Sequence, residues 1–174
     1  MDAEMVKGAV VNHLRFHKKC GVIALEAYFG DCDIVGINPS GYLIEVEVKT
    51  SVGDLKKEAK KRKHKFTTWR GTRHPRTAYF YFALPRTIYW KCLEFIRDNF
   101  PDYGVLTVSP SSHWELDRPT TTVFTVAEPV KAKRLTKEKM PLEQQLDIAS
   151  KQSNTICSLM NRLLNARRAL GNGK

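Results

Sequence analysis

Five acids, Glu26, Asp31, Asp33, Glu45 and Glu47, fall between positions 26 and 49, and the run ends on Lys49. Glu45, Glu47 and Lys49 alternate with Ile44, Val46 and Val48, which is the two-residue period of a strand with one charged and one apolar face. Pro39-Ser40-Gly41 suits a three-residue hairpin loop, with Pro at the second turn position and Gly free to take a positive φ. Closing that loop between Asn38 and Tyr42 sets Asp33 across from Glu47, Asp31 across from Lys49 and Val35 across from Glu45. The other face then pairs Ile34 with Val46 and Cys32 with Val48. A slip of one residue would destroy both patterns, so the register is constrained.

Two carboxylates opposed on neighbouring strands repel, and they make sense if a cation sits between them. A few oxygen ligands with room for water and a substrate phosphate suit Mg²⁺ or Mn²⁺ better than Zn²⁺. Lys49 projects from the face of Glu47, where an ammonium could bind a phosphate oxygen or hold an attacking water. The same repulsion predicts that metal-free Asp33→Asn and Glu47→Ala variants are as stable as the native chain or more so. Taken alone, E-x-E-x-K in a strand describes a solvated hairpin face. The opposed Asp33 and the basic stretch that follows favour a site.

Periodicity supplies the elements that would position these groups. Met5, Val6, Ala9, Val10, Leu14 and Phe16 lie near helical spacing and predict a helix over Asp2 to Lys18. Strands are expected at Val22 to Tyr28, Cys32 to Asn38 and Tyr42 to Lys49. Ser51-Val-Gly-Asp54 is a capping pattern opening a lysine-rich helix to about Phe66, and an Arg- and Thr-rich loop follows over Thr67 to Arg76. Ala78 to Leu84 is a continuous apolar run closed by Pro85, as expected of a strand in the sheet centre. A third helix carries Ile88, Cys92, Leu93, Ile96 and Phe100, and later strands are expected at Val105 to Ser109 and Thr121 to Ala127. Leu142, Leu146, Ala149, Ser153, Ile156, Met160 and Leu163 repeat at helical spacing after Pro141, in a helix that should bury one stripe. Its own domain is the expected cover, and a partner subunit the alternative. The fold expected is α/β, a central mixed β-sheet flanked by helices over residues 1–130, with a basic amphipathic helical extension over 131–174.

Charge is uneven along the 174 residues, whose formal net charge is +11. Residues 1–50 carry 5 basic and 7 acidic side chains, whereas 51–100 carry 13 and 4. An acidic patch is thus followed by a basic block, as a metal site beside a phosphate-binding surface would require. Within that block Lys56, Lys57, Lys60, Lys61 and Lys63 have only Glu58 among them to pair with, so phosphate binding explains the helix better than solvation. Arg70, Arg73 and Arg76 surround Trp69 and His74 in the loop, an aromatic among cations of the kind that stacks on bases. A nucleic acid, most simply DNA, is the partner this implies. No stretch approaches the roughly 20 apolar residues of a membrane span, and the first helix is too mixed in charge for a signal peptide, so a cytoplasmic protein is expected. Cys20, Cys32, Cys92 and Cys157 form no C-x-x-C pair and read as buried thiols, and His13 and His17 read as helix-surface residues.

Asp33, thirteen residues, then Glu47-Val48-Lys49 resembles the D-x(n)-E-x-K signature of the PD-(D/E)XK nuclease superfamily. The string CDIVGINPSGYLIEVEVKTSVGDLKKEAKKRKHK, followed by AYFYFALP and FPDYGVLTV, further resembles its small MmcB-like branch of bacterial and phage proteins, over about residues 20–110. The resemblance implies an αβββαβ, restriction-endonuclease-like core in a bacterial or phage-infected cell. It also implies Asp33, Glu47 and the intervening Val48 as the Mg²⁺ or Mn²⁺ set, with Lys49 acting on the attacked phosphate. A further carboxylate often completes such sites. Glu26 is the better match, because a two-residue Phe29-Gly30 turn would set it opposite Asp33, and Glu4 is the second choice. The expected activity is metal-dependent hydrolysis of DNA phosphodiesters in repair, recombination or phage DNA metabolism. Its rivals are a dimeric junction resolvase and a non-catalytic nucleic-acid binder that keeps the fold.

Overall fold

A computed structural model describes residues 1–26, 32–61, 77–111 and 123–171. Asp2 caps the first helix, its carboxylate accepting the Met5 N–H at 2.8 Å, and α1 (Ala3–Asn12) turns Val6, Ala9 and Val10 onto the sheet, with Leu14 beside them from the turn that follows. The expected helix to Lys18 is present with one change. Over His13–His17 it widens into a π turn, and the Lys18 N–H reaches the His13 carbonyl. Lys18 is thereby placed 2.6 Å from Glu128, which also accepts the Tyr81 hydroxyl at 2.7 Å, tying the helix end to two strands. His13 is half-buried, so it is less exposed than a helix-surface residue.

Six strands follow as β1 (Val22–Leu25), β2 (Ile34–Ile37), β3 (Leu43–Val48), β4 (Tyr79–Pro85), β5 (Gly104–Ser111) and β6 (Val123–Val130). They form one sheet in sequence order. The pairs β1–β2, β2–β3 and β5–β6 are antiparallel, while β3–β4 and β4–β5 are parallel. Parallel neighbours need crossovers, and α2 (Val52–Glu58) and α3 (Tyr89–Asn99) lie in the two crossovers. The chain is therefore an α/β protein with a mixed six-stranded sheet flanked by helices, and its apolar run at Tyr79–Pro85 sits inside the sheet between β3 and β5.

The β2–β3 hairpin has the predicted register, with Ile34 across from Val46 and Val35 across from Glu45. Asn38 and Tyr42 close the loop, Gly41 takes φ +83°, and the Asn38 side chain accepts the N–H groups of Ser40 and Tyr42. Gly36 has a different reason to be glycine. A Cβ there would stand 3.2 Å from the Cys20 sulfur and 3.3 Å from Leu14, so α1 could not lie so close to β2.

One sheet face packs Ile34, Ile44, Val46 and Val48 against α1. The other packs Phe80, Phe82 and Val105 against Leu55 of α2 and Cys92, Leu93 and Ile96 of α3. A third cluster, Ala24, Val35, Ile37 and Leu43, is closed by Met140 and by Ile148 of α4 (Leu142–Gly171). Cys32 joins this third cluster, and so does not share the predicted apolar face with Val48. The ordered ladder begins at Ile34, which frees the residue before it from strand alternation.

Two further expectations are corrected. The lysine-rich helix α2 ends at Glu58, and the expected stretch over 62–66 lies outside the described residues. Lys60 and Lys61 donate to carbonyls only three residues back, and lysines four apart, 56 with 60 and 57 with 61, disfavour continuation. The apolar stripe of α4 is not buried, because its body contact uses another side of the helix. Cys157 on that helix is exposed, unlike Cys20, Cys32 and Cys92.

Candidate active site

Where β2 begins and β3 ends, Asp33 meets the Glu47-Val48-Lys49 segment through its backbone, while the Asp33 and Glu47 side chains are held by different lysines. The β2–β3 ladder runs out at Ile34–Val46, and one residue further the Asp33 side chain takes over the missing backbone acceptor. The Val48 N–H donates to Asp33 Oδ2 at 2.8 Å. This bond fixes Asp33 on the residue between Glu47 and Lys49. Glu26 lies opposite Asp33 as predicted, its N–H donating to the Asp33 carbonyl at 2.9 Å. Its φ of +48° takes it out of strand geometry at that point. Lys49 follows the end of β3, its N–H donating to the Ala83 carbonyl of β4. Glu47 and Lys49 project together, as alternation requires, and Lys49 Nζ lies 2.9 Å from Glu47 Oε1.

Two helices bring charged partners that the strand pattern does not contain. From α1, the buried Lys7 places its ammonium 3.0 Å from Glu26, 3.3 Å from Glu4 and 3.6 Å from Asp33. From α2, Glu58 is 1% exposed and its Oε2 lies 2.8 Å from Lys49, while Lys61 Nζ lies 2.9 Å from Glu58 and 3.4 Å from Glu47. Ser51 sets this geometry by accepting the Asp54 N–H at 3.1 Å and starting α2 immediately after β3. The tightened turn after Glu58 then swings Lys61 back over it. Glu47 and Lys49 are themselves 3% and 5% exposed. Burial would depress the Lys49 ammonium, but its carboxylate partners Glu58 and Glu47 prevail and hold its pKa above the ordinary 10.5. Lys7 and Lys61 are raised against burial in the same way, Lys7 by Glu26, Glu4 and Asp33, and Lys61 by Glu58 and Glu47.

The acids are therefore held on ammonium groups and do not face one another unscreened. This removes the basis for the expected stabilisation on losing Asp33 or Glu47, since each makes a favourable ion pair. Among the described residues no group of three His, Cys, Asp or Glu side chains is arranged to hold a metal. Lys7 nevertheless places a cation within 3.6 Å of Asp33 and Glu26, two of the acids that a divalent ion would draw on. The oxygen-only donor set is of the hard type that suits Mg²⁺ or Mn²⁺.

Of the proposed nucleic-acid contacts, Lys56, Lys57 and Lys60 are exposed beside this site, and Lys61 is turned into it. Lys63, Arg70, Arg73 and Arg76, with Trp69 and His74, lie outside the described residues. Glu45 is half-buried on β3 across from Val35, near enough to Tyr103 to add to the burial that pushes that phenol to about 12. Sequence reasoning missed Lys7 and Glu58 as site residues. The one legible signal was Glu58 itself, a single acid in a run of lysines.

No protein-family model and no curated protein matches the chain. Among solved structures it is similar to the SPO1766 protein of unknown function from Silicibacter pomeroyi, with a TM-score of 0.58 over 96% of this chain and 94% of that one. At 15% identity the likeness concerns the fold alone. No helix among the described residues is long and apolar enough to cross a membrane.

Proposed function

We propose that the protein is a Mg²⁺- or Mn²⁺-dependent nuclease of the PD-(D/E)XK type acting on DNA. The observation that carries this reading is the bond from the Val48 N–H to Asp33, which joins Asp33 to the Glu47-Val48-Lys49 segment at the end of two adjacent strands. Asp33 and Glu47 would hold the ion, with Glu26 and the Val48 backbone completing the set. When bound, the ion would polarise a phosphate oxygen and lower the pKa of a water. Lys49 stays protonated through neutral pH because its carboxylate partners outweigh its burial, so it can present an ammonium to the charge that develops on phosphate. Lys56, Lys57 and Lys60 lie exposed one to three turns from Ser51 and would hold the backbone of the substrate without reading its sequence.

The test is incubation of the purified protein with single-stranded, duplex, flapped and four-way-junction DNA in Mg²⁺, Mn²⁺ or chelator. Metal-dependent cleavage that disappears in Asp33→Asn and in Lys49→Met is the expected result, and cleavage retained in both removes the site. Preference for junctions would turn the reading toward a resolvase. A second reading, a nucleic-acid binder without catalysis, draws on the ion pairs that engage these carboxylates. It is favoured if DNA binds and no metal yields cleavage.

A further inference from the structure

We propose that α4 pairs antiparallel with α4 of a second copy of this chain. The helix has 30 residues and so extends about 45 Å, and its hydrogen bond to β1 and its buried side chain fall between Ile148 and Gln152, with Ile156 further on edging a groove beside α1. Ile148 is buried, the Gln152 side-chain oxygen accepts the Ile23 N–H, and the Gln145 side chain donates to the Met140 carbonyl. At about 100° per residue the stripe through Leu146, Ile156, Met160 and Leu163 lies about a quarter-turn away from Ile148 and Gln152. Leu142, Leu146, Ile156, Met160 and Leu163 are accordingly between 52% and 69% exposed.

The spacing of this stripe identifies its cover. Its steps alternate four and three residues from Leu142 to Leu163, the heptad seam of two helices that wind together. Direction follows from charge and size. The first part of α4 carries Glu143 and Asp147, and the last part carries Arg162, Arg167 and Arg168. Parallel copies would set arginines beside arginines, whereas antiparallel copies set the acidic end of one against the basic end of the other. An antiparallel register exists in which Leu146 meets the partner's Leu163, Ala149 meets the partner's Met160 and Ser153 meets the partner's Ile156. Each small residue at the centre of the seam then faces a large one, and a second copy supplies the complement that a flat apolar surface would not.

The mass of the full chain in solution, by light scattering at high micromolar concentration, tests the pairing. Twice the 19.9 kDa chain mass is expected for the native protein and for Met160→Leu, and the single mass for Met160→Asp with its circular dichroism melt of the sheet domain kept. A native chain of single mass, or a dimer that survives Met160→Asp, overturns the proposal. Direction is read by cysteine pairs in a Cys157→Ser background. Leu146→Cys and Leu163→Cys chains should form a disulfide when mixed and neither should do so alone, while self-linking of Leu146→Cys would overturn the antiparallel arrangement. DNA cleavage enters none of these readouts.

Discussion

Replacing Glu47 by Gln separates the two accounts of this site by the sign of a stability change. If the carboxylate stood against Asp33 alone, losing its charge would leave the metal-free protein unchanged or stabilise it. In the structure Glu47 is 3% exposed and lies 2.9 Å from Lys49 and 3.4 Å from Lys61, so the substitution removes charge-assisted contacts in a buried setting while keeping the side-chain volume. Breaking a buried ion pair by removing one partner costs about 3–5 kcal/mol when the other is left alone. Lys49 keeps Glu58 at 2.8 Å, so the smaller cost of a lost hydrogen bond to a charged group, about 1.5–3 kcal/mol, is the better guide. At about 2–4 °C per kcal/mol for a chain of this size, the melting temperature should fall by about 3–12 °C in chelator. Alkaline pH supplies an internal control. The folded Lys49 pKa is raised, so its contribution is fully present below the ordinary 10.5 and is lost as pH rises through the higher folded value. The gap between native and Glu47→Gln melting temperatures should therefore stay constant up to pH 10.5 and close above it. An equal or higher melting temperature for Glu47→Gln near neutral pH refutes the ion-pair reasoning.

Lys7→Met should raise Mn²⁺ affinity by about thirtyfold in calorimetry, the equivalent of removing an ammonium whose repulsion of a divalent ion is ~2 kcal/mol at about 4 Å in a watery dielectric. Unchanged or weaker binding would mean that the ion does not share the carboxylates around Lys7. Neutralising Lys56, Lys57 and Lys60 together should flatten the slope of log affinity for duplex DNA against log salt by about 0.9 per lost phosphate contact, and an unchanged slope would return them to a solvated helix face. Glu128→Gln should weaken the tie between the π turn and β4 by about 1.5–3 kcal/mol at neutral pH. Burial acts to raise the Glu128 pKa, but Lys18 and Tyr81 hold it below the ordinary 4.5, so that contribution is present above 4.5 and lost as pH falls through the folded value. Acid titrations in which native and variant melts stay equally far apart below that value would contradict it.

The hairpin was legible because its information is local. Alternation over Leu43–Val48, a three-residue loop and the positive φ of Gly41 fix which residues lie opposite, and the observed pairs of Ile34 with Val46 and Val35 with Glu45 follow without reference to the rest of the chain. The end of the ladder was less legible, since strand period alone gives no reason for Asp33 to leave the strand and accept from Val48 through its side chain. Helix limits failed where propensity was read without charge. The stretch after Glu58 is rich in good helix formers, but it carries like charges four residues apart, and the chain tightens there.

Lys7 and Glu58 show why the rest of the site could not be read from the strands that carry it. Each enters from a helix on an opposite face of the sheet, and its distance to a strand carboxylate or ammonium depends on how closely that helix packs. On the α1 side that depth rests on Gly36, whose missing Cβ lets Leu14 and Cys20 approach β2. On the α2 side it rests on Leu55, fully buried against the aromatic cluster around Phe80 and Phe82, three residues before Glu58. The spacing of three places both Leu55 and Glu58 on the inward side of a short helix, so the apolar anchor and the buried acid are set by one turn. The same packing then decides the fate of the lysines. Lys61, brought back by the tightened turn, belongs to the acid site, whereas Lys56, Lys57 and Lys60 point outward and remain available to a polyanion. The lysines of one run in the sequence are thus divided by the fold into Lys61, which neutralises the buried acids, and an exposed set open to a polyanion.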